Sequence, residues 1–424
     1  MRVLLINTSE QIGGAAIAAS RLMDALKSHG VKAKLLVRDK QSDKINVIRL
    51  DRNWLAVWNF VWERVVIWIA NRFKKDNIFA VDIANVGADI TTLPEFKQAD
   101  VIHLHWINQG MLSLKGIRKI LESGKPVVWT LHDMWPLTGI CHHARTCENY
   151  KTECKHCQFL KSAGKRDLST RTFLKKKKIY SDFQNNIRFV AVSHWQRNRL
   201  ETSALLGNRI INVIPNALLT GSFNKYNRQA CRRELNLPSN KYILAFGASR
   251  MDDSIKGFPH LVAAIRHLNA KGVIKFDNIH LVLFGRVKNE TAFFASIPVE
   301  YTWFGTVNDT RMLSKLYSAA DVFAMPSLYE TFGQTLIESM ACGCVPIAFD
   351  NSGPAEIIDH LHNGYVAEFL SVEDLANGIN WILSEADYSI LSEQAMHKVT
   401  TRYSEQVVAR QYIDIYNQIT GNHE

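Results

Sequence analysis

Long uninterrupted apolar runs are missing from this chain, as are internal repeats and low-complexity tracts. The first absence argues against a membrane-spanning helix, and the others argue against a solenoid or a disordered linker. Proline is scarce, 10 in 424 residues, which fits an ordinary globular chain. The opening Met1-Arg2-Val3-Leu4-Leu5-Ile6-Asn7-Thr8-Ser9 carries too short an apolar run for a signal peptide and reads as a first buried strand. Seven cysteines, an odd number, without an export signal fit a reducing, cytoplasmic compartment. The three-glycine dinucleotide fingerprint is also absent.

What is present suggests two domains of about 200 residues each. Apolar runs alternate with helical patterns twice over. Val3–Ile6, Ala33–Val37, Val101–His105, Val127–Thr130, Phe189–Val192 and Ile211–Ile214 form one series. Ile243–Phe246, His280–Phe284, Thr302–Phe304, Val322–Met325 and Val345–Phe349 form the other. Short apolar strands separated by helices predict parallel sheets covered on both faces, hence an α/β fold of two Rossmann-like domains. The net charge of +11 is uneven: residues 216–424 hold 17 basic and 22 acidic side chains, so the first 215 carry +16. Residues 161–200 alone hold eleven basic side chains, among them Lys175, Lys176, Lys177 and Lys178. A basic half predicts a partner with negative charge, namely lipid headgroups, a pyrophosphate-linked acceptor or nucleic acid, or else a solvated basic face. Between Asn53 and Lys75, Trp54, Trp58, Trp62 and Trp68 recur among aliphatic residues, with Glu63 and Arg64 in the middle. Two central charges argue against a spanning helix. The segment reads either as a helix at a membrane surface or as an amphipathic helix of the first domain.

The most informative stretch is Met325 to Glu338. A strand-like run, a Thr331-Phe332-Gly333 turn and a helix-like run follow one another, the order in which α/β proteins present a helix N-terminus to phosphate. Glu330 falls in the loop. Glu338 falls one turn into the helix, where a carboxylate can accept two hydrogen bonds from a sugar diol. Arg250 and Lys256 follow the strand Ile243–Phe246, where two cations can neutralise a leaving diphosphate. Gly13-Gly14 follows the first strand and opens a helix. His132 and Asp133 follow the strand Val127–Thr130, and His103 and His105 share one face of their strand by period two. Cys141, Cys147, Cys154 and Cys157 cluster, and Cys154-Lys155-His156-Cys157 has metal-ligand spacing. The cluster reads as a structural zinc site, as free thiols or as disulfides.

The run from Ala320 through Glu330, Glu338, Ala341-Cys342-Gly343-Cys344-Val345-Pro346 and Pro354-Ala355-Glu356 to Asn363-Gly364 resembles the retaining nucleotide-sugar glycosyltransferases of the GT-B fold, family 4. His132-Asp133-Met134-Trp135-Pro136, with the cysteines behind it, is similar to enzymes of capsule, colanic-acid and exopolysaccharide assembly. The resemblance implies an acceptor domain over residues 1–215, a donor domain over 216–399, a cleft between them, and a C-terminal helix from about 400 to 424 returning to the first domain. It implies a UDP- or GDP-sugar donor, a glycan acceptor linked to polyprenyl diphosphate, work at the inner face of the cytoplasmic membrane, and no metal in catalysis. Catalysis would fall to Glu330, His132, Lys256 and Arg250. The donor would meet Gly13, Gly14, Arg250, Lys256, Thr331, Phe332, Gly333 and Glu338. The acceptor would meet His103, His105 and Asp133. Five residues separate Arg250 from Lys256, one more than the commoner family spacing. Rival readings are an epimerase or glycan phosphorylase of the same fold, and a protein binding an anionic polymer; no aromatic-basic nucleic-acid signature supports the last.

Overall fold

A computed structural model describes residues 1–50 and 53–421, with the side chains of Asn53, Trp54 and Ala56 outside that description. The chain divides into two compact units, Met1–Ala217 with Val408–Glu424, and Leu218–Val407.

The first unit is built on seven parallel strands: β1 (Arg2–Ser9), β2 (Lys32–Asp39), β3 (Val47–Arg49), β4 (Val101–Leu104), β5 (Val127–Leu131), β6 (Ile187–Ala191) and β7 (Ile211–Val213). Their order is β3-β2-β1-β4-β5-β6-β7. β1 is buried from Val3 to Ser9 without alternation, as expected of a parallel strand covered on both faces. The helix Gly14–Ser28 lays Ala18, Ala19, Leu22, Met23, Ala25 and Leu26 inward. The last helix, Glu405–Thr420, contributes Val408, Ala409, Tyr412, Ile415 and Tyr416 to the same core as Val3, Leu5 and Leu35.

The second unit holds six parallel strands: β8 (Tyr242–Arg250), β9 (Ile279–Arg286), β10 (Glu300–Trp303), β11 (Val322–Met325), β12 (Val345–Phe349) and β13 (Tyr365–Ala367), ordered β10-β9-β8-β11-β12-β13. In each unit, chain order reverses beside a central strand. Ligands of open α/β sheets bind beyond the carboxyl ends of such strands. The residues of interest in the second unit lie in the loops after β8 and β11.

The tryptophan-rich segment forms the helix Asn53–Ala70. Asn59, Glu63 and Ile67 are buried, while Val57, Trp58, Val61, Trp62 and Ile69 are exposed. Arg64 lies inside with Glu63, bonded to it at 2.9 Å and to Asp82 at 3.2 Å. Glu63 also accepts the amides of Ile83 and Ala84 at 2.8 and 2.7 Å. Burial, and then the charge of Asp82, push the Glu63 carboxyl up to about 8. No helix among the described residues is long and apolar enough to cross a membrane.

The basic run corrects a sequence expectation. In the helix Leu168–Asp182, Lys175, Lys177 and Lys178 are exposed, but Lys176 is wholly buried. It donates to the carbonyls of Trp135 at 2.6 Å and Thr138 at 3.1 Å. The helical period explains this: Thr172, Phe173, Lys176, Ile179 and Tyr180 form the inward face.

Candidate functional site

In the second unit, two loops are locked together by a glycine. Gly257 has a left-handed backbone (φ 72), and a Cβ there would come within 1.7 Å of the Pro326 carbonyl oxygen. Only glycine allows the turn after β8 to press this closely on the loop after β11. Leu328 donates to the Ile255 carbonyl at 2.8 Å across the same contact. The close approach sets Lys256 beside Glu330, with Nζ 2.6 Å from Oε2. Burial works to lower the lysine, but the Glu330 carboxylate more than offsets it, so Lys256 is held charged.

Past Glu330 the chain turns sharply. Glu330 accepts the Gly353 amide at 3.0 Å on its carbonyl. Thr331 and Phe332 are buried, and the Phe332 ring meets Tyr403 edge-on at 5.7 Å between centroids. The Phe332 ring therefore helps to hold the turn. Gly333, with φ 118, opens the helix Gln334–Ala341. Glu338 lies one turn in, almost wholly buried, and accepts the Tyr317 hydroxyl at 3.0 Å.

Arg250 ends β8 and is paired differently. Its guanidinium lies 2.9 Å from Asp253 and 3.5 Å from Asp252. Both acids belong to the stretch that lengthens the Arg250–Lys256 spacing. The structure thus joins Lys256 to Glu330 and gives Arg250 local partners.

In the first unit, Gly13 and Gly14 sit between β1 and the helix Gly14–Ser28, with nothing within 4 Å of where a Cβ would stand on either. A histidine row lies at the ends of β4 and β5. His103 is enclosed, bonded to the Tyr416 hydroxyl at 2.6 Å and to Thr130 Oγ1 at 2.8 Å. His105 Nδ1 is 3.0 Å from His132 Nε2. Burial pushes His103 down to about 3 and His132 to about 4, and holds His105 well below the usual histidine range. The three rings are therefore neutral near neutral pH. An acceptor role for His103 finds no exposed surface on it; His132 keeps partial exposure. Asp133 is fixed by the Trp106 indole at 2.7 Å, the Trp135 amide at 2.8 Å and His142 Nδ1 at 2.7 Å. Burial alone would raise this carboxyl, but the adjoining His142 more than offsets it and holds it below the ordinary range.

Several partners escaped the sequence reading. Tyr317 and Trp106 hold Glu338 and Asp133 from positions with no motif of their own, while His142, interspersed in the cysteine cluster, also holds Asp133. Tyr412 and Tyr416 did leave a signal: they lie four apart on the last helix, on the face it turns inward.

Two parallel-sheet α/β units of this Rossmann-like kind are the architecture of the GT-B class. The Glycosyltransferase Family 4 model matches residues 12–220, and the model for Glycosyl transferases group 1 matches residues 227–398. The chain belongs to this glycosyltransferase family. It is similar to the putative colanic acid biosynthesis glycosyl transferase WcaC of Escherichia coli (strain K12), 22% identical over 75% of this chain and 76% of that protein. It is also similar to an N,N'-diacetylbacillosaminyl-diphospho-undecaprenol alpha-1,3-N-acetylgalactosaminyltransferase of Campylobacter jejuni, 26% identical over 39% of this chain and 46% of that one. The chain spans less than half the length of the first curated relatives it matches. Among solved structures, sucrose-phosphate synthase from Thermosynechococcus elongatus superposes with a TM-score of 0.66 at 19% identity, over 100% of both chains.

Proposed function

We propose that this chain is a retaining glycosyltransferase. It moves a sugar from a UDP- or GDP-sugar to a glycan acceptor carried on a polyprenyl diphosphate, in the assembly of a bacterial-type surface polysaccharide. The observation that carries this reading is the Lys256–Glu330 pair at 2.6 Å, set between the Gly257 contact and the Gly333 helix start. A cation, a helix N-terminus and a carboxylate suit a diphosphate with a sugar attached.

In this reading Lys256, Arg250 and the amides of the Gly333 turn neutralise the departing diphosphate. Glu338 exchanges part of its bonding with Tyr317 for the ribose diol. Glu330 stabilises positive charge developing on the donor sugar. The bond from the anomeric carbon to the leaving phosphate oxygen breaks as the acceptor hydroxyl attacks from the same face. The leaving phosphate takes the hydroxyl proton. Asp133 and His105 lie on the acceptor side. The fixed cations supply the charge stabilisation, so the step needs no metal.

The test is product analysis by NMR after incubation with UDP- and GDP-sugars and a polyprenyl-diphosphate acceptor. The expected product keeps the donor's anomeric configuration and forms equally in a chelator. An inverted product would overturn the retaining mechanism. Epimerised donor or released sugar phosphate would favour the rival enzyme readings.

Membrane attachment is part of this proposal. Trp58 and Trp62 stack at 6.1 Å on the exposed face of their helix, and Arg72, Lys74 and Lys75 follow it on the surface. Such a face suits insertion at the level of anionic headgroups at the inner side of the cytoplasmic membrane. Flotation with anionic vesicles should show binding that high salt weakens but does not abolish. Replacing Trp58 and Trp62 by serine should remove the salt-resistant part, and replacing Lys175, Lys177 and Lys178 by glutamine the salt-sensitive part. Wild-type protein remaining at the bottom of the gradient at low salt would point to a soluble acceptor.

A further inference from the structure

The proposed reaction makes no direct use of the four clustered cysteines, which lie in the first unit. Cys141, Cys147, Cys154 and Cys157 line one cavity of about 20 Å3, lined also by Gly139, Ile140 and Phe159. That is room for a single water-sized sphere. Its walls are nearly all apolar atoms and sulfur, so a water there would find few partners. All four cysteines are free thiols in this structure.

Two features bear on a cation at the sulfurs. The Gly139 amide donates to Cys154 Sγ at 3.1 Å, and the Phe159 amide donates to Cys157. Amide donors to sulfur orient and stabilise thiolate ligands. Lys176 lies wholly buried beside the cluster, its Nζ 3.4 Å from the centre of the Trp135 ring and bonded only to carbonyls among its described hydrogen bonds. Burial disfavours the ammonium, and negative charge, on Asp82 first and then on the nearby sulfurs, favours it.

We infer that Cys141, Cys147, Cys154 and Cys157 bind one structural zinc ion, which ties the loop between β5 and the helix Leu168–Asp182. Among the described residues no three His, Cys, Asp or Glu side chains already stand at metal-binding geometry, so the thiols must turn further onto the cavity as the ion enters. Their soft sulfur and their number select zinc and leave no open coordination position for catalysis. Each coordinating thiol releases its proton to solvent as the divalent ion binds. Four thiolates on a divalent ion leave a net negative centre, which adds to the charge of Asp82 and Asp133 near Lys176.

The ion would also act on the acceptor side. Cys141 pairs with Val81 in an antiparallel bridge, and the next residue, His142, holds Asp133. Ordering this loop therefore orders Asp133.

Elemental analysis of protein purified without added metal or chelator should find about one zinc per chain. Cys154→Ser and Cys147→Ser should lose it, whereas Cys231→Ser should keep it. Protein grown with cobalt should show thiolate-to-cobalt absorption in the near ultraviolet and the visible bands of a tetrahedral site. If Cys154→Ser does not fold, the wild-type stoichiometry and the cobalt spectrum decide alone. Metal-free wild type with four titratable thiols in this loop, or with disulfides joining them, would overturn the inference.

Discussion

Lys256→Ala is expected to lower kcat/KM by roughly 30- to 700-fold, the equivalent of about 2–4 kcal/mol for a charge-assisted contact in a shielded site. The ammonium lies 2.6 Å from Glu330 and a quarter of its side chain is exposed. Removing it does more than delete a cation. The Glu330 carboxylate then faces the incoming diphosphate without its counter-ion, so repulsion adds to the lost attraction. Lys256→Arg should recover part of the loss, since the charge returns in a different shape. Arg250→Ala should cost less, because that guanidinium is half exposed and already held by Asp252 and Asp253. Steady-state kinetics on the three variants check the order. Activity of Lys256→Ala within twofold of wild type would remove Lys256 from the diphosphate site.

Arg64→Ala should destabilise the first unit by about 3–5 kcal/mol, the usual cost of breaking a buried ion pair from one side. Glu63 and Asp82 have no side-chain exposure, and Arg64 very little. Asp82 is held ionised against its burial by a hydrogen bond with Glu63 and by nearby positive charge, that of Arg64 included. Without the guanidinium that charge must stay buried unpaired or take up a proton. Arg64 also caps the carbonyls of Ile78 and Val81, which lie inside the turn before Asp82. Thermal melts should show a large fall in the first unit's transition, and Asp82→Asn combined with Arg64→Met should recover much of it. A variant melting like the wild type would mean that the network carries little of the unit's stability.

Much of this architecture was legible because parallel strands covered on both faces leave continuous apolar runs. Every run from Val3–Ile6 to Val345–Phe349 lies in or overlaps a strand. The two strands that left no such mark, β3 and β13, are three residues long and lie at sheet edges, each paired on one side only. Too few side chains repeat there for a pattern. Glu330, Gly333 and Glu338 were legible because chain neighbours form the turn. Their partners were not: Lys256 reaches Glu330, and Tyr317 reaches Glu338, across separate elements. The inward face of the tryptophan helix was hidden for the same reason, since Asp82, which makes Glu63 and Arg64 tolerable inside, lies in a later loop. Lys176 was readable in principle. Phe173, Ile179 and Tyr180 mark its face as internal, but a run of four lysines outweighs that pattern to the eye.

Calorimetric titration of the wild-type protein with uridine and guanosine diphosphates and their sugars bears most directly on the donor site. One nucleotide should bind saturably at about one per chain, a stoichiometry set by a single donor site, and its affinity should fall about tenfold or more in Glu338→Ala, the order for losing a buried charge-assisted hydrogen bond. Absence of binding by every nucleotide, or undiminished binding by Glu338→Ala and Lys256→Ala alike, would contradict a nucleotide-sugar site in the loops after β8 and β11.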